Sequence, residues 1–250
     1  MVMERTEFLL ETCVLAGKIM LENGAEMSRV EDTMNRIAAS YGEEVGTSFV
    51  TQTVVLMGLQ STKDVQMQRI EERTTNLGKI AKVNTYSRAF AENKLSLQDL
   101  NTCLVILDQA KSYRSRVSKI ISAAIVSGCL MVMLGGTWPD FLATCLVGAG
   151  GYGAYDWCEQ RLNLKFINEL VASIILGVLA FLCVDIGIAH SLDHMIIGSI
   201  MPLVPGVAIT NAVRDLQAGH MLAGISRAVE ALIVALMIGA GIAIAFSFMH

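Results

Sequence analysis

Positive charge nearly vanishes from this sequence after Lys119. The following 131 residues hold four Lys/Arg, namely Arg161, Lys165, Arg214 and Arg227, against eight Asp/Glu. In place of charge stand apolar segments close to bilayer length, since a hydrocarbon core of ~30 Å takes about 20 helical residues to cross. That scarcity excludes a soluble second half. Residues 1–119 carry 15 Lys/Arg and 15 Asp/Glu and read as a water-soluble module. Hydrophobic residues make up 53% of the chain and its mean hydropathy is +0.52, too apolar for an ordinary globular protein.

Other absences narrow the function. No basic cluster or aromatic-interleaved patch suggests nucleic acid, and the net charge of −4 comes entirely from the second half. The six cysteines, Cys13, Cys103, Cys129, Cys145, Cys158 and Cys183, include no CxxC and no metal-ligand spacing. They read as small buried hydrophobes in a reducing compartment. GxSxG, Walker A, HExxH and kinase signatures are missing, so an enzyme is not expected. His190, Asp193 and His194 lack a further spaced ligand, so neither a metal nor another cofactor is expected. The N-terminus lacks a basic region followed by an apolar core, so no signal peptide is read. The first span is then expected to act as its own insertion signal.

What is present has a clear order. Residues 4–22 place Phe8, Leu9, Leu15, Ala16, Ile19 and Met20 on one helical face with Thr12. Asn23-Gly24 ends that helix, with Gly24 suited to a left-handed cap. Ser28 and Glu31 have capping-box spacing and open a second helix to about Tyr41. β-Branched and aromatic runs at Val45, Phe49–Val50 and Val54–Leu59, then residues 65–71, predict three strands. Ser61-Thr62-Lys63-Asp64 supplies a hairpin turn. Two further helices, about 75–92 and 97–110, follow, the second capped by Ser96.

The apolar half divides into five spans, about 119–138, 140–158, 166–186, 194–213 and 222–248. With five, every Lys/Arg falls on one side, which places the module in the cytoplasm and the C-terminus outside. The fold expected is an α+β N-terminal cytoplasmic domain (1–115) followed by an all-α membrane domain (116–250) of about five transmembrane helices.

Ionisable residues at membrane depth are costly and usually face protein or water. Arg227 and Glu230 stand i, i+3 near the start of the fifth span, as an interfacial pair or as a substrate or proton site. Asp156 and Glu169 lie at ends of the second and third spans. Pro202-Leu203-Val204-Pro205-Gly206 breaks the fourth. Non-helical backbone at that depth is tolerated where protein or a cavity covers it, as in transporter binding sites. Gly148, Gly150, Gly151 and Gly153 permit close helix packing or flank a narrow path beside Tyr152 and Tyr155.

Two stretches carry a resemblance. Leu21-Glu22-Asn23-Gly24-Ala25-Glu26, continuing Ser28-Arg29-Val30-Glu31-Asp32-Thr33, resembles the opening motif of the threonine/serine exporter family. Pro202-Leu203-Val204-Pro205-Gly206-Val207-Ala208-Ile209-Thr210-Asn211-Ala212-Val213-Arg214-Asp215 resembles its membrane signature. The chain is similar to the large subunit of the split, two-chain form. The resemblance implies a subunit of a secondary active exporter in a bacterial inner membrane. It would move threonine/serine-type amino acids or small dicarboxylates, coupled to protons, and pair with a small four- or five-span membrane subunit; homo-oligomers are the other arrangement. Its matched pathway positions are Pro202, Pro205, Gly206, Asn211 and Asp215, with Glu22, Asn23, Gly24, Glu26, Arg29 and Glu31 in the soluble motif. Asp156, Glu169, Arg227 and Glu230 are added on the physical argument. A membrane-anchored metabolite sensor without transport activity is the alternative.

Overall fold

A broad apolar face on the first helix, much wider than a single stripe, decides how the N-terminal half folds. The structure is a computed structural model that describes residues 2–42, 46–60, 64–110, 115–162 and 164–248. Val45, the 61–63 part of the expected hairpin turn, Lys111, Arg114 and His250 fall outside these. Helix α1 (Val2–Glu22) buries Leu9, Leu10, Cys13, Val14, Ala16, Ile19, Met20 and Leu21. It therefore packs against most elements of its unit and leaves only a narrow strip, with Glu7 and Glu11, exposed. Against it pack α2 (Met27–Tyr41), α3 (Leu77–Ala91), α4 (Leu97–Gln109) and the sheet. The sheet is an antiparallel meander of β1 (Gly46–Val50), β2 (Val54–Leu59) and β3 (Val65–Arg69), with Phe49 opposite Leu56 and Leu56 opposite Met67. Val55, Met57 and Leu59 turn inward.

Two of the expected helix ends are present. Gly24 has φ +89°, and the Ala25 and Gly24 amides return to Met20 and Leu21 carbonyls. Ser96 and Asp99 form a reciprocal capping box on α4. The Ser28–Glu31 box is absent. Helix α2 starts at Met27, its Glu26 side chain makes no cap, and Glu31 instead accepts the Val50 amide at 3.2 Å.

The chain divides into two compact units, and the first is not contiguous. It comprises residues 1–111 together with 206–229. The returning segment contains α9 (Gly206–Gln217) and the opening turns of α10 (Met221–Ser247). Ala223 joins the same apolar core as α1.

The second unit comprises residues 112–205 and 230–250. It holds α5 (Arg116–Met133), α6 (Phe141–Arg161), α7 (Ile167–Asp185), α8 (Leu192–Ile200) and the rest of α10. Helix α6 lies among α5, α7 and α8. Its glycines make this possible. A Cβ at Gly148 would stand 2.1 Å from Ser127 Oγ on α5, and one at Gly151 3.0 Å from Leu176 on α7. The expected close packing of these glycines is thus satisfied inside the unit. Gly198 on α8 meets less yielding atoms, with Met131 Cβ at 2.5 Å and the Ser127 carbonyl at 2.8 Å from an added Cβ.

The fold class differs from the expectation of an α+β domain followed by an all-α membrane domain of about five helices. The described residues contain ten α-helices and one small three-stranded sheet, so helix dominates throughout. No distinct N-terminal α+β domain precedes the membrane helices, because residues 206–229 return to complete the first unit. Among the described residues three helices, α5, α7 and α10, are long and apolar enough to cross a membrane. A bent pair, residues 192–203 with 206–217, raises this to four if it counts as one span. Helix α6 has the length, 21 residues, but glycine, tyrosine and Asp156 lower its apolarity.

Candidate functional site

The loop between α1 and α2 leaves polar backbone groups that its own side chains do not satisfy. Helix α2 has no local cap, so its first amide seeks a distant acceptor, as buried backbone donors must. Asp215 on α9 supplies it. The Met27 amide donates to Asp215 Oδ1 at 2.9 Å, across 188 positions of sequence. A carboxylate there also meets the positive end of the helix dipole. The other oxygen, Oδ2, lies 3.0 Å from Nη1 of Arg227 on α10. Both side chains are buried, Asp215 at 0% and Arg227 at 5% exposure. Arg227 Nη2 also donates to the Ala25 carbonyl at 3.3 Å.

The rest of the loop is read by the same elements. Asn211, one turn before Asp215, donates from Nδ2 to the Gly24 carbonyl at 2.8 Å. Arg214 forms an ion pair with Glu26. His220 Nε2 lies 3.8 Å from Oε2 of Glu31. The Ser226 hydroxyl donates to Gln52 Oε1 at 2.9 Å, tying the β1–β2 turn to α10. On the loop's other side, the Thr74 and Asn76 amides donate to the Glu22 and Asn23 carbonyls. Asn23 closes α1 by donating to the Ile19 carbonyl. Burial pushes the Glu22 and Glu31 carboxyls above the ordinary range, offset in part by Lys18 and His220 respectively.

The structure therefore brings together Asn23, Gly24, Glu26, Glu31, Asn211, Asp215 and Arg227. The two sequence stretches that carry the resemblance meet in one polar network. Glu22 sits beside it, 3.8 Å from Lys18, and Arg29 is exposed on α2. Pro202 lies in a short 3-10 turn, Met201–Leu203, Pro205 in the gap that follows, and Gly206 opens α9. The break expected at the prolines is present. Sequence spacing offered Glu230 as a neighbour of Arg227 and did not anticipate the ion pair of Arg227 with Asp215. The available signal was the need of a buried acid for a base.

The second unit gathers a different set. Glu169 on α7 lies within electrostatic reach of Glu159 on α6 and Glu230 on α10. Tyr155 stands beside Glu159 and Glu169, and its ring is 5.9 Å from that of Tyr152. Asp156 accepts from Gln160 at 2.7 Å and lies 4.0 Å from Arg116. Glu159 was not singled out from the sequence, because a helix-end acid resembles any solvated one. Elsewhere in this unit, buried Asp140 accepts the His190 and Ser191 amides at 2.9 and 3.2 Å. Burial would raise its carboxyl, but those amides, the His190 ring and the Thr137 hydroxyl hold it below the usual range. Among the described residues no group of His, Cys, Asp or Glu is arranged to hold a metal ion.

Comparison with known proteins agrees with these features. The sequence model of the family described as "Putative threonine/serine exporter" matches residues 11–249. An uncharacterized protein of Schizosaccharomyces pombe is 25% identical over 256 residues, covering 96% of this chain and 29% of that protein. The chain thus spans less than a third of that relative's length. No solved structure matches. The family match takes in both motif stretches, the network they form and the apolar helices, and by it this multi-pass membrane chain belongs to the threonine/serine exporter family.

Proposed function

We propose that the chain is a subunit of a proton-coupled secondary exporter of small polar amino acids of the threonine/serine type. The family supports the transport of such solutes. The observation that carries the coupling is the approach of Glu159, Glu169 and Glu230 from three helices of the second unit. Ionisable residues at membrane depth are costly and mark ion and proton paths, so the coupling is assigned to this group. Tyr152 and Tyr155 supply hydroxyls beside it for relay or for a polar solute. The broken segment at Pro202–Pro205 supplies the non-helical backbone that carriers place beside their paths.

The test is uphill export of labelled threonine and serine from cells under an imposed proton gradient. Glu169→Gln and Glu230→Gln keep side-chain shape but cannot release a proton. Each is expected to abolish uphill export and to leave downhill exchange of the same solute. Normal uphill export in both variants, at equal protein levels, would remove the coupling role from this group. Solute binding without flux in the native protein would favour the metabolite-sensor reading.

A further inference from the structure

Helix α9 is amphipathic with its faces inverted. Its polar residues Asn211 and Asp215 are buried at 8% and 0% exposure, whereas Val207, Ile209 and Val213 are exposed at 39%, 44% and 50%. A helix at a water-facing surface does the opposite. The outward face also carries Thr210, whose hydroxyl is taken up by the helix itself through the Gly206 and Val207 carbonyls, each at 3.0 Å. Arg214 and Gln217 stand only towards its C-terminal end. The opening turns of α10 repeat the pattern. Ser226 and Arg227 are bonded to the unit's own groups, while Leu222, Ile225 and Val229 are exposed at 74%, 54% and 49%.

We propose that this elbow, α9 with residues 221–229, is seated in the interfacial layer of the bilayer, its apolar face in lipid and its polar face held by the first unit. Continuity argues for lipid as the occupant. Leu222, Ile225 and Val229 fall at helical spacing, and the same stripe runs on through Leu232 and Leu236. These belong to the part of α10 that is apolar enough to span a membrane. One uninterrupted exposed stripe thus passes from the elbow into the span, with no charged residue on it. Amphipathic helices lie in this way with the apolar face ~5–10 Å into the headgroup boundary. It follows that Asn211 and Asp215 anchor the soluble unit at the membrane surface. They do not line a path through it.

Depth-dependent quenching tests this in the full chain reconstituted in vesicles. Ile209→Trp, Val213→Trp and Ile225→Trp are each made with Trp138 and Trp157 replaced by Phe, and Phe49→Trp on the exposed sheet serves as the water-facing control. The substituted positions are already exposed, so folding should survive in at least one. Lipids carrying a nitroxide near the headgroup are expected to quench the elbow tryptophans about threefold or more strongly than the sheet tryptophan, as a shallow insertion requires. Blue-shifted emission without lipid quenching would overturn the proposal and assign the face to a polypeptide partner. Quenching by aqueous iodide as strong as that of the sheet tryptophan would overturn it in favour of a water-facing elbow.

Discussion

Asp215 and Asp140 show the same solution in different units. Each is a fully buried carboxylate that accepts backbone amides at the start of a distant helix, α2 in one case and α8 in the other. Asp215 also faces Arg227. Removing one partner of a buried pair leaves a charge uncompensated, at a cost of about 3–5 kcal/mol. Asp215→Ala is therefore expected to lower stability by that order, and adding Arg227→Met should recover part of it. Thermal melting of the detergent-solubilised protein measures both; a loss below about 1 kcal/mol would make the pair incidental. Asp140 predicts a pH effect. Its carboxyl is held below the ordinary aspartate value of about 3.9, so its contribution is complete above that pH and is lost as pH falls through the lower, folded value. Asp140→Asn should melt earlier at neutral pH, by about 1–3 kcal/mol for the weakened amide bonds. Its stability should also decline less than the native protein's on acidification. Parallel pH profiles would remove Asp140 from the titration.

At the scale of elements, glycine decides how closely helices approach. The α5–α6–α8 cluster needs Gly128, Gly148 and Gly198, where an added Cβ would meet Cys145, Ser127 and Met131 at 2.5 Å or less. At Gly198 the obstacles are a Cβ and a backbone carbonyl, which cannot swing aside as a side-chain tip can. Gly198→Ala should therefore cost about 1–3 kcal/mol through overpacking, despite alanine's better helix propensity. Gly239 on α10 has nothing within 4 Å of an added Cβ. Gly239→Ala should be neutral or stabilising by up to ~1 kcal/mol. Melting both variants side by side separates packing from propensity; equal effects would show that close approach at α8 does not matter.

For the whole molecule, span number and assembly stay linked. Helix α6 is too polar to face lipid on all sides, yet α5, α7 and α8 shield much of it. A helix surrounded by its own unit need not be uniformly apolar. The three to four apolar spans among the described residues are few for a carrier built from two repeats around a central site. We propose that a second polypeptide, such as a small four- or five-span membrane subunit, completes the path. Reconstituted alone in liposomes, this chain is then expected to give no threonine or serine efflux above empty vesicles, with flux restored by the co-expressed partner. Robust efflux from the chain alone would favour a homo-oligomeric carrier.

Composition and short-range chemistry were enough to separate a charged half from an apolar one, to find the helix end at Asn23-Gly24, the cap at Ser96 and the break at Pro202–Pro205. The helix end, the cap and the break each depend on residues within about a turn of one another, which is the range over which propensity, periodicity and capping act. The tertiary structure alone decided that α1 is a central helix, that residues 206–229 complete the first unit, and that Asp215 caps α2 and pairs with Arg227. It also decided that Glu159 joins Glu169 and Glu230. Those outcomes depend on which buried donors and charges find a complement far along the chain. The capping box read at Ser28 and Glu31 shows the reason plainly. The local partner was at the right spacing, but Glu31 took the Val50 amide, and a carboxylate 188 residues away from Met27 took the helix end.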